Sequence, residues 1–200
     1  MEYWKNGTSP FHLSIIPLFH FNDNLKYKQM NQHKIKLLFF FIIALLTCCS
    51  MPTNPKEAVI LNDSIVITQD KFYQHIEFLF SQLEKDIITP DLRNAYNHAK
   101  KYVEKVHSKY SSNEPFDDED IMRKATLEFF NSQKKLLENE YLALIAIKEK
   151  NINALTANDE TKWDSIFNGI IHKDSIASNK FLKEQKRFSE QHRFELIELD

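Results

Sequence analysis

Glu104-Lys105-Val106-His107 is the first arrangement in this 200-residue chain that could do chemistry. One turn of helix brings such a carboxylate and imidazole to the same side, as in di-iron carboxylate bundles, but those sites need two of these motifs and two further inward glutamates. None of His75, His98, His172 and His192 has a glutamate three residues before it. Glu104 and His107 therefore stand as bare candidates for a metal, expected as a solvated pair at a helix edge, and no cofactor is expected.

A second candidate is a buried polar pair, Glu140 and Asp174. Asp174 lies four residues after Ile170, three before Ala177 and seven before Phe181, within an apolar stripe. Glu140 falls between Leu136-Leu137 and Leu144 in a similar way. A buried carboxylate needs partners or drifts toward its neutral form, and such groups in a cleft can mark a site. The alternative is that both side chains reach the rim of the helices. Neither a Ser-His-Asp nor a Cys-His arrangement can be drawn, because the two cysteines, Cys48 and Cys49, are adjacent and belong elsewhere.

These residues must be carried by helices. After residue 48 only one glycine, Gly169, remains, and no proline follows Pro115. That composition leaves no phosphate-cradling loop and makes tight primed hairpin turns unfavourable. Helical spacing predicts a first helix over about 57–88, with Phe72, Ile76, Leu79, Phe80 and Leu83 on one face and Asp63-Ser64 as a candidate interruption. Thr89-Pro90 reads as an N-cap with proline at the first helical position. The second helix then presents Leu92, Tyr96, Ala99, Val103, Val106 and Tyr110. Ser111–Asp117 is a loop. Asp117–Asp120 open a third helix lasting to about 151; they suit its dipole but lack the glycine and spaced ligands of a calcium loop. A fourth helix starts near Asn158, with Trp163, Phe167, Ile170, Ala177, Phe181 and Phe188 inward, and the tail from Gln191 leaves it as a strap. Phe78 and Phe130 lie off their stripes and are candidates for an exposed patch. The fold class expected is all-α, an antiparallel up-down-up-down four-helix bundle over residues 57–200.

What precedes the bundle concerns location. Lys34 and Lys36 form a positive start, Leu37–Leu46 an unbroken apolar run, and Thr47, Cys48, Cys49 and Ser50 follow. That order is a secretory signal, and the run is too short for a membrane span of about 20 residues. Met30 opens it, so residues 1–29 read as a non-native upstream extension; the alternative is a long n-region in which Lys26 and Lys28 add charge. Residues 30–48 are then the signal peptide and 49–56 a tether with Pro52 and Pro55, able to span about 25 Å at full stretch. The part from Cys49 onward carries 21 Lys and Arg against 26 Asp and Glu. Its mixed, mildly acidic charge argues against nucleic acid as a partner.

Leu46-Thr47-Cys48-Cys49 resembles the lipobox of bacterial lipoproteins, with Cys49 as the lipid-bearing residue; reading Cys48 instead puts Leu46 and Thr47 in the two small positions, a poorer fit. An ordinary cleaved signal is the further alternative. The resemblance implies a diacylglycerol thioether and an acylated amino terminus, palmitate among the acyl chains, and hence attachment to membrane lipid through the N-terminal cysteine; two or more chains suffice for stable anchoring. With NPKEAVILNDSIV and KFLKEQKRFSEQHRFEL, the chain also resembles a family of uncharacterised bacterial surface lipoproteins with helical-bundle domains. That resemblance implies a lipid-anchored place in the bacterial cell envelope, at the outer membrane, with the periplasmic and surface faces both open. It brings no catalytic or binding residue.

The function expected is that of an envelope binding or interaction module, not an enzyme, whose partner is another envelope protein or an apolar small molecule held between helices. The competing readings are an enzyme using Glu104/His107 or Glu140/Asp174, and a purely structural spacer.

Overall fold

The computed structural model describes residues 54–85, 90–150 and 156–196. The upstream extension, the signal, Cys48, Cys49 and the tether up to residue 53 lie outside the described residues, as do Thr89 and the last four residues of the tail. Among the described residues the chain is all-helical, without a strand, and forms four rods. They are α1 (Pro55–Leu83), α2 (Pro90–Ser112), a third rod built of α3 (Ile121–Leu136), a π turn (Leu137–Tyr141) and α4 (Leu142–Lys148), and α5 (Ala157–His192). No described helix is long and apolar enough to cross a membrane.

Local chemistry sets the ends. The Asn54 side chain accepts from the Lys56 amide and Pro55 opens α1, so helix replaces the last two residues of the expected tether. Asp63-Ser64 does not interrupt α1, because Ile65 and Asn62 are fully buried and packing outweighs weak local propensity. Thr156 and Asp159 form a reciprocal capping box at the start of α5. Lys150 and the Thr156 hydroxyl and amide hold the Asp159 carboxyl down at about 2. Asp117–Asp120 do not join the third helix as expected: Asp120 sits in the left-handed region at φ 56°, a conformation Asp tolerates, and α3 starts after it.

A local side-chain bond accompanies the π turn. The Asn139 side-chain amide donates to the Lys135 carbonyl at 2.7 Å, the acceptor that its own backbone amide would take in an α-helix. The ladder widens there, and Tyr141, Leu144 and Ile145 still face the interior.

The core is aromatic at its centre. Phe72 is fully buried and meets Phe129 and Phe130 edge-on, at ring separations of 6.4 and 5.8 Å. Phe130 is therefore not part of an exposed patch; it fills the space between α1 and α3, and only Phe78 of the two stands out, at 47% exposure. Phe80 links Tyr141 and Phe167 at 5.4 and 5.6 Å. The helix runs on through His192, past the expected exit at Gln191; beyond it Arg193 turns left-handed and Phe194 packs on Phe188, and the tail from residue 197 lies outside the described residues. Along α1, the partners on α5 fall in number as those on α1 rise: Asn62 meets Gln185, Tyr73 meets Asp174, and Phe80 meets Phe167. Glu119 just before the third rod, and Glu128 and Glu140 along it, meet Arg187, Lys180 and Lys173.

Candidate functional site

Asp174 is the centre of a polar cluster that ties three rods together. From α1, the Tyr73 hydroxyl donates to Asp174 Oδ1 at 3.1 Å, with Oδ2 at 3.4 Å. From α3, Gln133 Nε2 donates to the same Oδ1 at 2.6 Å, and Gln133 itself is buried. Ser178, one turn along α5, lies 3.1 Å from the Tyr73 oxygen; with the phenol proton spent on Asp174, the serine hydroxyl donates. Burial pushes the Asp174 carboxyl above the usual carboxylate range, and the bonds from Gln133 and Tyr73 offset part of that. Tyr73 and the fully buried Tyr141, in the π turn, are pushed up by burial and then by the Asp174 charge.

Glu140 does not share this environment. It pairs with Lys173 near the surface, while the neighbouring Asp174 turns inward, so the two carboxylates singled out together go to different partners. Both side chains are half-buried; Asp174 is bonded inward to Tyr73 and Gln133, and Glu140 outward to Lys173. Tyr73, Gln133 and Ser178 were not foreseen as its partners. The available signal was Gln133, a polar residue on the stripe between Phe129-Phe130 and Leu136-Leu137.

On the outer side, α3 and α5 leave a groove of about 450 Å³. Its floor is apolar, formed by Ala125, Phe129, Leu136, Ala177 and Phe181, with Ile176 exposed at the rim. Lys173–Glu140 and Lys180–Glu128 bridge the two helices across it. Exposed pairs of this kind are worth about 0–1 kcal/mol each, so they bridge the groove without locking it.

Glu104 and His107 lie on the outer face of α2, in a shallow depression with Ser108, Ser111 and Lys134. His107 Nδ1 is 3.4 Å from Ser111 Oγ, and Glu104 is exposed. No group of three or more His, Cys, Asp or Glu that could hold a metal occurs among the described residues. Two further buried polar pairs went unnoticed in the sequence. Gln185 donates to Asn62 at 2.8 Å. His192 Nε2 lies 2.8 Å from Asp117 Oδ2, between Phe116 and Phe188.

Comparison with known proteins finds no family model, no curated relative and no solved structure that matches this chain. The likeness to bacterial surface lipoproteins rests on the sequence patterns alone.

Proposed function

We propose that this is a lipid-anchored bacterial envelope protein that acts by binding, attached through Cys49 at the outer membrane and built as an antiparallel up-down-up-down bundle. The falling order of partners between α1 and α5, and between the third rod and α5, supports that topology. The single observation behind the binding role is the α3/α5 groove: about 450 Å³ with an apolar floor and charged rim, inside the size range of small-molecule sites. Its chemistry suits an elongated apolar ligand with a polar end, the body on Phe129 and Phe181 and the end at the lysines of the rim. A catalytic reading has less behind it, since Glu140 and Asp174 are separately partnered and Glu104, beside the half-buried His107, is exposed.

The test is displacement of a fluorescent long-chain fatty acid from the purified mature chain. Binding is expected, weakened about tenfold by Ile176→Asp, which places a charge over the apolar floor. No binding, or binding unaffected by Ile176→Asp and by Lys180→Glu, contradicts the groove as the site. Retention of a stoichiometric transition metal by the same preparation, lost on His107→Ala, would return the enzyme reading.

A further inference from the structure

The outer face of α1 carries a second surface that the groove does not use. Ile60, Ile67 and Phe78 are 59%, 54% and 47% exposed. They are spaced seven and eleven residues apart, which at 3.6 residues per turn places them within about 20° of one another over about 27 Å of helix. Lys56 and Lys71 fall on the same stripe, within about 40° of its centre, while Glu57 and Asp63 lie at its two edges. None of the ion pairs found among the described residues includes a side chain of α1. Across the molecule Lys173 and Lys180 of α5 pair with glutamates of the third rod, and Arg187 with Glu119 just before it; Lys56 and Lys71 have no such partner among the described residues.

Charge is uneven along the chain: α1 itself carries two lysines against four acidic residues, of which Glu57 and Asp63 border the stripe while Asp70 and Glu77 lie off it. Residues 54–112 carry eight Lys and Arg against eight Asp and Glu, whereas residues 113–200 carry 13 against 18. Helix α2, which flanks the stripe where Tyr102 donates to the Thr68 carbonyl, carries five basic against two acidic residues. The half of the molecule holding the apolar stripe is thus the half less repelled by a negative surface. It is also the nearest to Cys49, which precedes Pro55 by six positions.

We infer that the outer face of α1 lies on an anionic phospholipid bilayer. Ile60, Ile67 and Phe78 enter the boundary between headgroups and acyl chains, and Lys56 and Lys71 extend their ammonium groups to the lipid phosphates. The bundle then rests on its side, α1 down, with the α3/α5 groove turned away from the membrane. The inference rests on the anchored reading only for the nearness of the bilayer.

The experiment places one thiol on the stripe. In the mature anchored chain Cys48 has left with the signal and Cys49 is thioether-linked, so Ile67→Cys, Phe78→Cys and, as control on α5, Ile176→Cys each supply a unique site for bimane. In phosphatidylglycerol–phosphatidylethanolamine vesicles, spin-labelled lipid is expected to quench positions 67 and 78 about threefold more than 176. Lys56→Glu with Lys71→Glu, or replacement by phosphatidylcholine, is expected to reduce that difference. Equal quenching at the three positions overturns the inference. So does shielding of 67 and 78 from both spin-labelled lipid and aqueous iodide, the signature of a protein partner or a second copy. Extra labelled thiols at 48 or 49 would instead refute the anchor. The same labels on the Cys48→Ala/Cys49→Ala chain mixed with vesicles then decide the face independently: stronger quenching at 67 and 78 than at 176 supports it, and equal quenching overturns it.

Discussion

The two faces of α1 are opposite solutions to one problem. Inward, Phe72 is sealed among aromatic rings, and the polar groups beside it, Asn62 and Tyr73, are answered by Gln185 and Asp174. Outward, Ile60, Ile67 and Phe78 are uncovered, and Lys56 and Lys71 lie outside every ion pair found among the described residues. The same helix is complete on one side within its own chain and incomplete on the other. If the outer face meets a membrane as inferred above, stability belongs to the first face and recognition to the second, and substitutions on them should separate these two properties.

The widest separation is expected between two phenylalanines six residues apart. Phe72→Ala opens a cavity in the aromatic centre and should cost about 3–5 kcal/mol, read as a lower urea midpoint. Phe78→Ala should change stability by no more than about 0.5 kcal/mol. If the two costs are alike, the division of α1 into two faces is wrong.

Tyr73→Phe comes next. It removes a donor from a half-buried carboxylate and should cost about 1–3 kcal/mol. Asp174→Asn keeps an acceptor where Tyr73 and Gln133 both point and should cost less. The pH dependence follows from the raised Asp174 carboxyl. A folded pKa above the unfolded one contributes stability that is complete below the unfolded value of about 3.9 and is lost as pH rises through the folded value. Urea midpoints from pH 3 to 8 should carry that downward component in the parent and lose it in Asp174→Asn. Asp159, held at about 2, acts with the opposite sign: its stabilisation is present above about 3.9 and fades as pH falls toward 2. Asp159→Asn should flatten the acid limb of the same curve.

Smaller effects mark places where the chain has room. A Cβ on Gly169 meets nothing within 4 Å, so Gly169→Ala in the interior of α5 should stabilise by about 0.5–1 kcal/mol. Tyr110 is buried with its hydroxyl unpartnered among the described residues, and Tyr110→Phe should leave stability unchanged or raise it by up to about 1 kcal/mol. A loss at either position, seen in thermal melts, would mean that the space or the hydroxyl is used.

Much of this was legible in the chain and part was not, for physical reasons. Helical periodicity and the scarcity of glycine and proline marked four helices, because burial of one stripe per helix leaves a 3.6-residue repeat. Asp174 could be picked out because a charge inside an apolar stripe breaks that repeat. Its partners could not, since Tyr73 and Gln133 lie 101 and 41 residues away and only the packing of three rods joins them. The fate of Phe130 was likewise hidden: position on a wheel does not tell which side of a rod a neighbouring helix covers. The π turn coincides with a bond from the Asn139 side chain to the Lys135 carbonyl, which composition does not reveal. Ile60, Ile67 and Phe78 share a face in the sequence alone, yet that face reads as outer only once Phe72 and Ile76 are seen buried opposite it.

The anchored reading places the protein at the bilayer on which α1 is inferred to lie, and it has one direct measurement: the intact mass and amino-terminal residue of the mature chain recovered from membranes. A chain starting at Cys49 and heavier by a diacylglycerol and a fatty acyl group is the expected result, abolished by Cys49→Ala. A chain that begins at Cys48, at Met30 or upstream of it, or that carries no lipid, would contradict the account.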